Sequence, residues 1–239
     1  MPLSLAESRH WLGRGHPVSI LLEAFLPQQT PADPAHYDYN VQRAAKVRSG
    51  ALDIYVLPVF AASAFPTCPN LRDDNHCAIY AQRPNVCRIY PFEMNPFATF
   101  QKDRKDCPTD AWAAMAPPHA STVADDDLTC VIAAARAANI ADAASKIVLC
   151  ERLAASTTAW RGDGYTIHTP TVADFRAAMD AEAAQTAQPT DWHIQTQSEA
   201  LGRALATLQA QLHNSTDGAH VFRAGFEKLN RPVEWSFRL

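Results

Sequence analysis

The sequence predicts an α+β protein: a small cysteine-rich, loop-rich part with a short β-hairpin, followed by an α-helical part. Three observations carry this expectation. Four of the six cysteines fall between residues 68 and 107, among prolines and turn residues. Before them, "YNVQRAAKVRSGALDIYVLPVFA" is β-branched and aromatic on either side of Ser49-Gly50, the pattern of two strands joined by a turn. After residues 113–122, "AAMAPPHAST", the chain becomes alanine-rich with repeated helix-start signals. The change of character there divides the 239 residues into a region 1–115 and an α-helical region 120–239.

Each element has a local reason. Ser4-Leu5-Ala6-Glu7 pairs a Ser with a Glu three residues on, a capping box that starts a short helix ending near Gly13. Residues 28–36 are Pro-rich and polar and read as a loop. Pro58 lies inside the second strand of the hairpin. It has no N–H for a ladder, so that strand is expected at an edge or to end there.

In the second region, Asp125-Asp126-Asp127 precede "LTCVIAAARAA", and acids suit the positive end of a helix dipole. "IADAASKIVLCERLAASTTAW" reads as a second helix. Thr171 to Asp174 repeats the capping pattern and opens a third, "VADFRAAMDAEAA". In "SEALGRALATLQAQL", Leu201, Leu205, Leu208 and Leu212 step by four, three and four, one apolar seam of a packed helix.

Composition narrows the function classes. Lys and Arg number 21 against 25 Asp and Glu, a formal net charge of −4. That excludes the basic face expected of a general nucleic-acid binder. With 47 % hydrophobic residues the chain can bury a core without staples. The stretch "PVSILLEAFLP" is short and carries Glu23, whereas a membrane span needs roughly 20 apolar residues. It also lacks the marks of a signal peptide. The expected compartment is the cytoplasm, where cysteines stay reduced and a local cluster is more often metal-binding or catalytic than disulfide-bonded.

The four clustered cysteines are Cys68, Cys77, Cys87 and Cys107, spaced C-x8-C-x9-C-x19-C. This differs from the close pairs of a zinc ribbon. Its surroundings suit a metal–thiolate site, because irregular backbone is needed to aim several sulfurs inward. Pro69 and Pro108 directly follow Cys68 and Cys107, and a Cys-Pro step also occurs in ferredoxin runs. Four thiolates around zinc, or around an oxidised [2Fe–2S] or [4Fe–4S] core, leave about two negative charges. Arg83, Arg88, Lys102, Arg104 and Lys105 lie beside the cysteines and can offset them. The same counting holds for either centre, so the cofactor is Zn2+ or an iron–sulfur cluster. Cys130 and Cys150 sit in apolar helices and read as core residues. His76 borders Cys77 and is a spare ligand candidate that reads better as a solvated loop residue.

The stretch "CAIYAQRPNVCRIYPF", residues 77–92, is dense in further signals. Its pattern C-x-I-Y-x-x-R-P-x-x-C-R-x-Y-P-F is filled by Cys77, Ile79, Tyr80, Arg83, Pro84, Cys87, Arg88, Tyr90, Pro91 and Phe92. It resembles the signature of the bacterial zinc- or iron-chelating cysteine-cluster family, also called YkgJ-type, which is distantly related to the flagellin lysine methylases. The resemblance covers about a sixth of the chain. It implies metal chelation by cysteines.

Within the motif, Arg83-Pro84 fixes a turn, since Pro pushes its predecessor to extended backbone. Arg88 can donate to carbonyls or carboxylates around the site, and Tyr80, Tyr90 and Phe92 are placed to shield it from water. Family members usually carry a further cysteine group upstream of the segment like "PLSLAESRHWL". The expectation is that the four cysteines here suffice, the other reading being a longer natural chain.

Three functions remain open on the sequence. One is a metal-binding protein with a structural, metal-handling or electron-transfer role. Another is a lysine N-methylase-like enzyme, against which stands the missing Gly-rich S-adenosylmethionine loop. The last is a zinc-stabilised interaction module that binds a protein partner through its C-terminal helices. No nucleophile–base pair stands out, which favours a non-catalytic role.

Overall fold

The computed structural model describes residues 1–28, 31–62, 67–98, 126–181, 190–213 and 220–223, with residues 126 and 220–223 described by backbone alone. The early elements are β1 (Pro2–Leu3), α1 (Leu5–Gly13), β2 (Val18–Phe25), α2 (Pro34–Gln42), β3 (Ala45–Ser49) and β4 (Leu52–Ala62). A 3-10 turn (Tyr80–Gln82) and α3 (Asn85–Ile89) follow. Then come α4 (Asp126–Ala141), α5 (Ala143–Arg152), β5 (Thr157–Trp160), β6 (Tyr165–His168), α6 (Val172–Asp180), β7 (His193–Gln195), α7 (Glu199–Thr207) and β8 (His220–Arg223).

The eight strands among the described residues belong to one sheet. β2 lies at its centre, antiparallel to β4 along its whole length, antiparallel to β6 and parallel to β5. β1 and β3 pair with β4, β7 with β5, and β8 with β6. The α+β class therefore holds. The α-helical reading of residues 120–239 needs correction, because β5 to β8 come from that region and two of them pair directly with β2.

The reasons are local. Helix α5 stops at Arg152, and Ala154 takes a positive φ of 53°. The β-branched Thr157 and Thr158 then enter a strand rather than continue the helix. "PVSILLEAFLP" contains the central strand. All of β2 except Ser19 is buried, the continuous apolar run of a strand covered on both faces.

The capping box at Ser4 forms as expected. The Ser4 hydroxyl accepts from Glu7 N–H at 3.2 Å, and Glu7 Oε2 accepts from Ser4 N–H at 2.7 Å. The hairpin also forms, its register running Ser49↔Leu52 to Ala45↔Val56. Pro58 does not end β4, which continues to Ala62 against β2. On the other side β3 stops opposite Val56 and β1 begins opposite Phe60. Pro58 falls in that gap, where no ladder partner needs its N–H.

Residues 34–36, read as loop, open α2: Asp33 caps it, with its carboxylate accepting from His36 N–H at 3.1 Å. The leucine seam is shorter than predicted. α7 ends at Thr207, Leu208 is exposed, and Leu212 lies past the helix in a bridge to Ile194.

One sheet face holds the main core. Ile20, Leu22 and Ala24 of β2 and Ile54, Val56 and Phe60 of β4 are fully buried there. Trp11 and Leu12 of α1, Cys150 of α5 and Phe175 of α6 belong to the same cluster. Phe60 and Phe175 meet edge to face at 5.1 Å, worth about 0.5–1.5 kcal/mol beyond burial. A second cluster ties α3 to α4 through Ile89, Val131 and Ala135, with Phe92 packed against it. No helix among the described residues is long and apolar enough to cross a membrane.

Candidate metal centre

Cys68, Cys77 and Cys87 lie on a chain of turns that α1 holds at both ends. Cys68 C=O accepts from Leu71 N–H at 3.0 Å, and Leu71 forms an antiparallel bridge with Cys77. Arg72 N–H donates to His76 C=O at 2.9 Å, closing the tip of this knuckle, where Asn75 adopts a φ of 63°. Asn70, inside the knuckle, is buried. Its carbonyl accepts from Ala78 N–H at 2.8 Å and its side-chain oxygen from Arg14 Nε at 3.0 Å.

Ile79 then anchors in the main core. Arg83 is extended (φ −60°, ψ 139°) before Pro84, as its position predicts. Helix α3 follows and carries Cys87, whose N–H donates to Pro84 C=O at 2.9 Å. Glu7 Oε1 accepts the Asn85 N–H at 2.6 Å. The capping glutamate of α1 thus also caps the cysteine-bearing helix. The Tyr90–Pro91 peptide after α3 is cis.

The three cysteines are half-buried free thiols. Cys68 and Cys77 border the main core cluster, and Cys87 Sγ contacts Met1 Sδ at 3.5 Å. Burial pushes the Cys87 thiol up, and negative charge on Cys68 and Cys77 pushes it further. The three sulfurs are therefore electrostatic neighbours. Among the described residues, no group of three His, Cys, Asp or Glu side chains stands in ligating geometry. Cys107 lies outside the described residues, as do Lys102, Arg104 and Lys105. Free thiols are the soft donors that zinc and iron–sulfur centres take, but Cys68, Cys77 and Cys87 by themselves do not form a ligating group here.

The other motif residues divide. The Arg83 guanidinium stacks over Tyr80 at 3.8 Å and donates to Tyr80 C=O, and its positive charge eases the Cys87 thiol slightly down. Arg88 is exposed. Tyr80 and Tyr90 are 68 % and 45 % exposed, so neither is buried over the cysteines as a shield against water. Phe92 packs on α4 instead. His76 is a solvated loop residue whose ring meets the Asp74 carbonyl and carboxylate. Cys150 is fully buried as predicted, but Cys130 is exposed: it lies on the side of α4 away from Val131 and Ala135. Glu7, Arg14 and Asn70 had no signal as site supports. Their partners are 78 and 56 residues away.

Residues 33–108 match the CxxCxxCC family model, described as "Putative zinc- or iron-chelating domain". The match spans about a third of the chain and includes all four clustered cysteines. No curated protein and no solved structure matches the chain.

Proposed function

We propose that the protein is a metal-chelating protein of the YkgJ type, in which Cys68, Cys77, Cys87 and Cys107 hold one zinc ion or one iron–sulfur cluster. Its role is structural, metal-handling or electron-transferring. The observation that carries this reading is the match of residues 33–108 to a zinc- or iron-chelating domain. The electrostatic effect of Cys68 and Cys77 on the Cys87 thiol is in keeping with this ligand set.

The chain's own part in such a site is positional. The knuckle at Asn70 holds Cys68 and Cys77, and Pro84 and Glu7 hold the start of the helix that carries Cys87. A bound metal supplies positive charge that stabilises the thiolates.

The test is metal and acid-labile sulfide per chain in anaerobically purified protein, alongside Cys77→Ser and Cys87→Ser. Stoichiometric metal that both variants lose is expected. Zinc without sulfide identifies a zinc site, and iron with matching sulfide a cluster. Metal retained in both variants rejects the ligand set.

A further inference from the structure

Lys146 of α5 is a buried nucleophile that the cysteine site does not use. Its side chain belongs to a residue only 1 % exposed. Among the described residues its amine has one acceptor, the Leu3 carbonyl at 2.9 Å, and the Phe60 ring centre lies 5.4 Å away. An ammonium carries three N–H donors. Two of them therefore find no acceptor among the described residues, and a buried donor left unpaired is costly. Burial pushes this amine down to about 8, and the charge on Arg43 pushes the same way, while Asp142, Cys150 and Glu7 hold it partly up. A sizeable share is uncharged near neutral pH, where an ordinary lysine is almost wholly protonated.

Lys146 lines a pocket of about 450 Å³, solvent at its mouth included, whose other polar members are Arg43, Asn139 and Tyr165. Most of its wall is apolar, Leu21, Val59 and Ala61 among it, and no carboxylate is among the lining residues. The carboxylates that act on Lys146 are engaged elsewhere. Asp142 Oδ2 accepts the Leu5 N–H at 2.7 Å, and Glu7 holds the N–H groups of Ser4 and Asn85. Arg43 is 3 % exposed; it gives one terminal nitrogen to Asn40 Oδ1 at 2.6 Å, and its Nε has no partner. Glu23 and Arg161 act on Arg43 with opposite signs.

We propose that this pocket binds a small 2-oxo acid covalently, as an imine of Lys146, with the carboxylate of the acid facing Arg43. An amine desolvated in an apolar pocket, or set beside a second cation, is an activated nucleophile toward carbonyl carbon, and Lys146 has both features. The neutral amine adds to the 2-oxo carbon, and one N–H proton passes to the former carbonyl oxygen. That hydroxyl then leaves as water with the second N–H proton as the C=N bond forms, so no oxidant or reductant is needed. The donor count favours the product. A protonated imine keeps the positive charge that Asp142 offsets but has a single N–H, which the Leu3 carbonyl accepts. The carboxylate brings an acceptor for the unpaired Arg43 Nε–H and a negative charge to a pocket lined by two cations. The short alkyl end lies on Leu21 and Val59.

The probes are sodium pyruvate and acetone, each incubated with the full chain and sodium cyanoborohydride, which reduces the imine to a stable amine. The adduct is located by peptide mass spectrometry, with Lys46 as internal reference because it is exposed and its hydrogen bond to Asp53 raises its pKa. Pyruvate should label Lys146 saturably and ahead of Lys46, and the Lys146-to-Lys46 ratio should be greatest below about pH 8, where only the buried amine has a neutral share. Arg43→Met should lower labelling by pyruvate several-fold more than labelling by acetone, which lacks the carboxylate. Wild-type protein labelled at Lys146 without saturation, or no faster than at Lys46, overturns the proposal whether or not the variant folds. An equal fall for both probes in Arg43→Met overturns the assignment of an acid. The pocket shares no residue with the cysteine cluster, so these outcomes are independent of metal content.

Discussion

Glu7 joins the start of its own helix to a helix start 78 residues further on: Oε2 accepts the Ser4 N–H at 2.7 Å and Oε1 the Asn85 N–H at 2.6 Å. A helix N-terminus leaves its first N–H groups unpaired, and a carboxylate there also meets the positive end of the dipole. One side chain therefore completes α1 and sets the entry of α3, which places Cys87 two residues later.

Glu7→Ala should cost about 1–3 kcal/mol of stability, the sum of a lost cap and an unsatisfied donor. It should also release metal faster, because the helix carrying Cys87 loses its anchor. Urea unfolding and metal transfer to a chromogenic chelator measure the two effects. Normal stability and normal release together would remove Glu7 from the account of the site.

Cys130 and Cys150 should now behave differently. Cys150 is fully buried in the main core, and burial raises its thiol pKa far above the ordinary range. Cys150→Ala leaves a small void and should cost about 1–2 kcal/mol. Cys130 is exposed, so Cys130→Ala should stay within about 0.5 kcal/mol. Neither should change metal content. Loss of metal in either variant would make that residue a ligand.

What the sequence revealed follows physical range. The α1 capping box and the β3–β4 hairpin depend on neighbours in the chain, and both were readable from Ser4, Glu7 and Gly50. The strand β2 was hidden because a strand buried on both faces shows no alternation. β5 was hidden because the alanine-rich helical pattern runs straight into Thr157, and a four-residue strand exists only through pairing with β2 and β7. Cys130 was misjudged because an alanine-rich helix offers little contrast between its faces. At the candidate metal centre, Cys68, Cys77 and Cys87 were legible as a cluster among turns in the sequence. The supports Glu7, Arg14 and Asn70 were not, since each acts across tertiary distance.

Lys146 should make stability depend on alkaline pH. Its amine is buried, donates to Leu3 C=O at 2.9 Å, and is pushed down from 10.5 to about 8 chiefly by burial, with Asp142 holding it partly up. Between those values the unfolded chain binds more protons than the folded one, so stability rises as pH rises through that window. Below pH 8 the full penalty applies. The gain should be on the order of 3 kcal/mol. Unfolding of the wild type and Lys146→Met at pH 7.5, 9 and 10.5 isolates it. The wild type should gain on the variant across the series, and parallel slopes would sink the assignment.

Gly50 cannot accept a side chain without a clash. It has a φ of +58°, and a Cβ there would overlap the Gln209 carbonyl. That carbonyl accepts the Ala51 N–H at 3.1 Å, while Gly50 N–H itself donates to Asp191 Oδ1 at 2.7 Å. The hairpin turn is thus tied to the segments just after α7 and just before β7, and none of these bonds can lengthen freely. Gly50→Ala combines left-handed strain with a backbone overlap, and should destabilise by more than the roughly 1 kcal/mol of a simple glycine replacement in a turn. Asp191→Asn keeps an acceptor for the same N–H and should cost well under that. Chemical denaturation of both variants decides it: a Gly50→Ala protein as stable as the wild type would mean that the turn and the Gln209 segment are not held together as described.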